Sequence, residues 1–577
     1  MKNPPRPSTL ACAALFALIV LAQGISAPFQ KDAEPQSAEW IQSIVRDAQW
    51  LIPHDAYGFV DRKPPLFYWL AAAASKISGG VVDETRARVV SLAAGTVLAV
   101  AILAWTLANV GAVEGWLAFL LILGTYGFAS RATEALTDML LTLLLFAAYS
   151  TMRPQLDGNG RGSPRRVAAI GVLLGLGLLT KGPVAIVLCA LAAAIYLAIE
   201  RRSPLEMLRA RWPWQVLAIA LAIGAAWYVP ALVVGKERMV RLVFTENFGH
   251  FMPARLGGTG ESYRPFYFIF ARLLGGAFPM TLLVVPALLA FWTGEIAPAK
   301  RAAVIYQVSM TLAVLVFFSI ASVKRDDYIL PAIPGIAILC ASVFNLDEIA
   351  GKRGADAILR DVIVIGLLVA PFFTALYLLT AGAAPGAPHP ALQSSDSAFV
   401  SVFHRDLLNL ALSVIALAVG LFIASGVGIF GLFRRSATTL GVAFGLAGLC
   451  GSVLWTAELR PTVAQMRSLK SFVPTVASTV KDSQLCIPSG INYELSYYYG
   501  SAVPRLKDPR CSDPKPGKPV YLIADPREFD ALSPEMRARL KLVAKSNLVG
   551  GGGPPSLFEI SPRAAPHDLK GAPAGAR

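Results

Sequence analysis

The chain has 577 residues, of which 55% are hydrophobic and only 15% charged, and its mean hydropathy is +0.56. Soluble domains carry about 25% charged residues, so this composition excludes an ordinary soluble enzyme and points to a polytopic α-helical membrane protein. The net charge of +15 reads as membrane topology, with membrane lipids as its partners and no nucleic acid.

Apolar stretches of about 18–25 residues, long enough to cross ~30 Å of hydrocarbon, recur near 8–28, 86–108, 114–131, 133–152, 166–181, 182–199, 212–234, 266–292, 303–322, 327–347, 360–382, 404–430 and 437–458. That predicts about thirteen transmembrane helices. The first has Lys2 and Arg6 before its apolar run, the pattern of a signal peptide. It is read here as a span, because the rest of the chain needs an anchor of fixed orientation. With the N-terminus in the cytoplasm, the inside loops hold Arg153, Arg161, Arg165 and Arg166, then Arg201, Arg202, Arg209 and Arg211. Lys300, Arg301, Lys352, Arg353, Arg360, Arg434 and Arg435 follow on the same side, as the positive-inside rule asks. This leaves 29–85, 235–265, 322–327, 383–403 and everything after about 459 outside, which requires an odd number of spans.

The first outside loop, 29–85, is where chemistry is expected. Asp32-Ala33-Glu34-Pro35 opens it, and Asp61-Arg62-Lys63-Pro64-Pro65-Leu66-Phe67-Tyr68-Trp69 places three ionisable side chains before an aromatic segment. Charges at a membrane boundary usually serve a site, since they are expensive at depth. Segment 64–80 is apolar but short, and its Tyr68, Trp69 and Lys76 suit the headgroup level. It is expected to be an interfacial helix. Further along, Arg131, Glu134 and Asp138 fall three and four residues apart, hence on one helix face.

The organisation expected is a membrane domain over 1–458, a small α/β domain over 459–562 and a disordered tail over 563–577. Val520-Tyr521-Leu522-Ile523 and Leu557-Phe558-Glu559-Ile560 look like strands, and 534–543 looks like a helix. Four of the six cysteines lie in expected spans. Cys486 and Cys511 are in the outer domain, where an oxidising compartment allows them to bridge.

The order of these landmarks resembles the lipid-linked sugar transferases of the GT-C superfamily, in the branch (family 83) that contains the lipid A aminoarabinose transferases and relatives of the protein O-mannosyltransferases. The resemblance is carried by the two acidic elements above and by Trp50-Leu51-Ile52-Pro53, Arg131-Ala132-Thr133-Glu134 with Asp138, Leu179-Thr180-Lys181-Gly182-Pro183 and Ala226-Trp227-Tyr228-Val229. Phe244-Thr245-Glu246-Asn247-Phe248-Gly249-His250-Phe251 and Lys324-Arg325-Asp326-Asp327-Tyr328-Ile329-Leu330-Pro331 complete the series. It covers about residues 10 to 345.

The resemblance implies a GT-C fold and transfer of a sugar from a polyprenyl phosphate to a lipid (lipid A-like) or protein acceptor, on the periplasmic face of a bacterial inner membrane. It also implies a set of roles. Asp32, Glu34 and Asp61 are the candidate catalytic carboxylates, with the choice between Asp32 and Glu34 open. Lys63, Arg62, Lys181 and Tyr328 are candidates for the donor phosphate. Arg131, Glu134, Asp138, Glu246, Asn247 and His250 are candidates for the sugar or acceptor site. A divalent metal cofactor, the identity of the sugar and the oligomeric state stay open. A transporter or flippase of a lipid-linked sugar is the alternative, although the ionisable residues gather in outside loops and no repeated halves are visible. An oligosaccharyltransferase is disfavoured because no Trp-Trp-Asp occurs in the outer domain.

Overall fold

The computed structural model describes residues 5–29, 33–60, 63–158, 163–245, 264–293, 298–321, 323–344, 419–428, 430, 437–508, 511, 519–548 and 553–561. The expected span 360–382, most of 404–430 and the tail from 563 lie outside these residues. The chain divides into two compact units. One takes in Met1–Ala27, Ser37–Pro385 and Asp406–Pro461, and the other Pro28–Gln36, Gly386–Arg405 and Thr462–Arg577.

The first unit is helical. Its early helices are α1 (Pro7–Leu21), α2 (Ala33–Asp47) from Ser37 onward, α3 (Leu66–Ile77), α4 (Glu84–Asn109), α5 (Ala112–Leu123), α6 (Tyr126–Ala132), α7 (Asp138–Leu156), α8 (Pro164–Lys181) and α9 (Val184–Ile199). Then come α10 (Pro204–Arg209), α11 (Arg211–Phe244), α12 (Phe268–Gly276), α13 (Val284–Thr293) and α14 (Pro298–Ile320). A 3-10 turn (Asp326–Ala332) leads into α15 (Ile333–Ser342), and a further helix covers Ala437–Leu454. Among the described residues, four helices are long and apolar enough to cross a membrane by themselves: Glu84–Asn109, Arg211–Phe244, Lys300–Ile320 and Thr438–Arg467. Two more qualify as bent pairs, α5 with α6 at 66° and α12 with Met280–Leu289 at 105°. At 12 residues, α3 is too short to span. α11 is interrupted at Lys236, whose φ of 48° is not helical.

Close helix packing comes from small residues. Gly171 and Gly175 on α8 face Ile219 and Ile223 of α11, where a Cβ would come within 2.7 and 2.8 Å of those side chains. On α11, Gly224 meets Leu178 of α8 in the same way. Glycines four apart let two backbones approach, which is how helices associate where lipid removes the hydrophobic incentive.

Polar contacts sort the bundle into two ends. At one end Lys300 pairs with Glu114 at 2.8 Å, Arg153 Nη1 donates to Asn109 at 2.9 Å, and Tyr196 donates its hydroxyl proton to Asp157 at 2.8 Å. At the other end lie Arg131, Asp138, Lys181 and Asp327. In each of these contacts, the two segments are ones that the positive-inside reading puts on the same side.

The second unit holds a four-stranded sheet of order β1-β2-β4-β3, with β1 (Gln484–Cys486), β2 (Val520–Ala524), β3 (Leu540–Lys545) and β4 (Ser556–Ile560). β1 runs parallel to β2, and β4 is antiparallel to both β2 and β3. Side chains alternate along β2: Tyr521 and Ile523 join a core with Val476, Leu485 and Leu495, while Val520 and Leu522 pack with Cys486 and Cys511 on the opposite face. Cys486 and Cys511 are disulfide-bonded, with Cα atoms 6.2 Å apart.

The segment 534–543 corrects the sequence reading. It is a short helix, Pro534–Ala538, followed by β3. The stretch Leu540-Lys541-Leu542-Val543 alternates apolar and polar residues only briefly, and pairing with β4 decides its state.

Candidate functional site

Three helix ends and one 3-10 turn bring five of the expected site residues together. Arg131 is in the last turn of α6, Asp138 opens α7, Lys181 closes α8, and Tyr328 lies in the turn Asp326–Ala332. Glu134 sits between α6 and α7. Lys181 Nζ is 2.5 Å from Asp138 Oδ1 and lies 4.9 Å above the Tyr328 ring. Arg131 pairs with Glu134 through one guanidinium nitrogen and with Asp327 Oδ1 at 3.1 Å through the other. Arg325 Nε adds a longer contact of 3.6 Å to Asp327. The Tyr328 ring stacks on Phe318 at 4.4 Å.

Local chemistry explains these positions. A carboxylate in the first turn of α7 and an ammonium in the last turn of α8 each complement the partial charge of their helix end. Gly182, with a positive φ of 77° that glycine adopts without a Cβ clash, stops α8 directly after Lys181. Pro183 then leads into α9.

The segment Thr133–Thr137 is not helical, so Arg131, Glu134 and Asp138 do not share the face of one helix. This overturns the reading from their spacing. A break within apolar surroundings must find partners for its carbonyl groups. Arg460, 3% exposed, supplies them by donating to Ser130 O at 3.3 Å, to Thr133 O at 2.9 Å and to Thr133 Oγ1. Ser91 Oγ donates to Leu136 O at 3.1 Å, and Trp455 Nε1 donates to Ser130 Oγ at 2.9 Å. Arg460, Trp455 and Asp327 were not singled out from sequence. Asp327 stood beside Tyr328 in a quoted motif, whereas Arg460 showed only as a charge just past the last span.

The segment of residues 51–59, before Lys63, is built tightly. Asp55, buried, accepts from Tyr57 N at 3.0 Å and Phe59 N at 2.9 Å, and Glu39 accepts from Ala56 N at 3.1 Å. Trp227 Nε1 on α11 donates to Leu51 O at 2.8 Å. Val60 and Leu66, which flank Lys63, pack with Leu179 of α8, two residues before Lys181. Lys63 itself is half-buried. Nearby in sequence to Tyr328, Lys324 donates to Arg264 O at 3.0 Å and Ala321 O at 2.5 Å, and burial pushes its ammonium below the usual lysine range.

Glu34 is not a loop residue but lies in the first turn of α2, buried. Asp32, Asp61, Arg62, Glu246, Asn247 and His250 lie outside the described residues. Among the described residues, no group of three or more His, Cys, Asp or Glu gathers to hold a metal ion. The sequence reading kept Lys181 and Asp138 in different subsites, donor and acceptor, but they form one ion pair.

Residues 62–229 match the model of the dolichyl-phosphate-mannose-protein mannosyltransferase family. The undecaprenyl phosphate-alpha-4-amino-4-deoxy-L-arabinose arabinosyl transferase of Enterobacter sp. (strain 638) is 28% identical over 342 residues, which is 56% of this chain and 57% of that protein. Its counterpart 1 in Pseudomonas fluorescens (strain Pf0-1) is 25% identical over 372 residues, 62% of each. The matches thus span roughly three-fifths of those relatives. ArnT from Cupriavidus metallidurans, crystallised with undecaprenyl phosphate, superposes with a TM-score of 0.69 at 17% identity, covering 96% of this chain and 98% of that one. This is the GT-C fold. The chain is a helical membrane protein with that fold, and it resembles the aminoarabinose transferases. The family match takes in Lys63, Arg131, Glu134, Asp138 and Lys181.

Proposed function

We propose that the chain is an inner-membrane glycosyltransferase that moves a sugar from a polyprenyl phosphate to a lipid acceptor of the lipid A type, or to a protein. The observation that carries this reading is the buried ion network at one end of the bundle: Lys181 on Asp138 above Tyr328, beside Arg131 on Glu134 and Asp327. Ionisable side chains inside a membrane domain mark a site by default. Transfer breaks the bond between the anomeric carbon and the phosphate oxygen, and the polyprenyl phosphate departs with the electron pair. Fixed cations aimed at that growing charge lower the barrier. Lys63, Arg62 and Lys181 supply them, and Tyr328 offers a hydroxyl. The acceptor oxygen attacks the anomeric carbon, and where it is a hydroxyl its proton goes to a carboxylate, for which Asp32, Glu34 and Asp61 are the candidates. Arg131, Glu134, Asp138, Glu246, Asn247 and His250 are assigned to the sugar and acceptor.

In this reading the chain has about thirteen spans, a cytoplasmic N-terminus and a periplasmic α/β domain over 459–562. The separation of the bundle's polar contacts into two ends supports that alternation. The gathering of charge at the ends of the bundle, and not at mid-depth, speaks against a transporter. Mass spectrometry of lipid A, core and envelope proteins from a deletion strain tests the proposal. Loss of a sugar mass from any of them is the expected result, and the molecule that loses it names the acceptor. An unchanged envelope, together with movement of a lipid-linked sugar across vesicles without release of polyprenyl phosphate, would establish the transporter instead.

A further inference from the structure

At the opposite end of the bundle from the ion network, a cavity of about 150 Å³ opens between α7, α8, α9, α10 and α11. Its walls are apolar throughout, among them Met152, Leu174, Ile186, Ala193, Val216 and Ala220. An apolar cavity of this size has too few polar partners to hold ordered water and accepts hydrocarbon.

Its rim has a different character. Met207, Leu208, Trp212 and Trp214 line the side formed by α10 and the start of α11. Trp214 is largely exposed and ties the two helices by donating its indole N–H to Leu208 O at 2.8 Å. Leu205 and Leu208 are exposed on α10, so this short helix offers apolar side chains outward beside tryptophans of the kind found at a lipid headgroup boundary. Over 200–211 the sequence carries Arg201, Arg202, Arg209 and Arg211 against Glu200 and Glu206. Among the described residues none of the four arginines makes an ion pair. An apolar cavity with an aromatic rim, whose lining segments are flanked in the chain by the exposed Arg209 and Arg211, matches an amphiphile with a hydrocarbon chain and an anionic head.

We propose that this cavity holds one acyl chain of an anionic glycerophospholipid, whose phosphate sits among Arg209, Arg211 and the end of α9. The site is separate from the ion network and does not depend on the activity proposed above. The fit rests on chemistry at two depths: the apolar walls select a chain, and the flanking arginines select its charge.

The test uses the full-length protein in nanodiscs containing trace phosphatidylglycerol or phosphatidylcholine with a photoactivatable diazirine in the acyl chain. The expected result is several-fold more crosslinking with phosphatidylglycerol, mapped to peptides within 186–220. Arg209→Gln with Arg211→Gln should bring that labelling down to the phosphatidylcholine level. Ala190 lines the cavity but is exposed, so Ala190→Trp should block the mouth and reduce labelling by both lipids without disturbing the core. Equal labelling of the wild-type protein by the two lipids overturns the proposal. So does labelling outside this region, or labelling that neither variant changes while both run at the wild-type position in size-exclusion chromatography.

Discussion

Arg460 Nη2 donates to the carbonyl oxygen of Thr133 at 2.9 Å, linking residues 327 positions apart in the chain. The guanidinium replaces helical hydrogen bonds that the α6–α7 break gives up, and so holds Arg131, Glu134 and Asp138 in place from a distance. Arg460→Ala removes a buried charge and its bonds, each worth about 1.5–3 kcal/mol. The expected outcome is a transfer rate at least ten-fold lower and a clear fall in thermal stability. Arg460→Lys keeps the charge but cannot reach both Thr133 atoms and Ser130, so it should fall between. A melting curve beside a transfer assay checks both.

Lys181 and Asp138 form a pair that is mostly shielded from solvent. Removing one partner strands the other, at a cost of about 3–5 kcal/mol for a fully buried pair and less here, where Lys181 keeps some exposure. Lys181→Met and Asp138→Leu should each lower the melting temperature in detergent, while the double variant recovers most of it. Transfer should stay low in all three if Lys181 serves the donor phosphate as proposed, because restored packing does not restore a cation. Recovery of activity in the double variant would remove both residues from the mechanism.

Lys63 follows a segment whose geometry at residues 51–59 is fixed by Asp55, Glu39 and the Trp227–Leu51 hydrogen bond. Lys63→Ala should therefore abolish transfer and leave membrane insertion and the melting temperature close to wild type. Transfer at near wild-type rate with that variant would sink its assignment to the donor phosphate. Asp55→Ala is the contrasting case: it removes the acceptor of both turn hydrogen bonds, and its effect should appear as lost stability of about 1 kcal/mol per hydrogen bond.

The Cys486–Cys511 bond closes a sequence separation of 25 residues, for which the chain-entropy view gives roughly 3 kcal/mol. Replacing both cysteines by serine should lower the unfolding temperature of the α/β unit. Thiol labelling of the denatured, unreduced protein should leave these two cysteines unmodified, and labelling equal to that after reduction would show the bridge absent in cells.

Hydropathy was enough to read the class of this chain and the positions of most of the helices among its described residues. Those properties depend on runs of about twenty residues facing one solvent, a signal that is local and repeated. The strands Val520–Ala524 and Ser556–Ile560 were legible for a similar reason, being short runs of β-branched and aromatic residues. The break between α6 and α7 was not. Arg131, Glu134 and Asp138 keep a helical spacing, and only Arg460 and Ser91, distant in sequence, make a non-helical backbone acceptable there. Residues 540–543 likewise became a strand because β4 offered a partner, against a local pattern that read as helix. Pairing is a second such case: sequence placed Lys181 and Asp138 among the important residues, but the close packing of α7 against α8 made them one ion pair. Local sequence set each element's preference, and the tertiary structure decided where satisfying a distant carbonyl or carboxylate outweighed it.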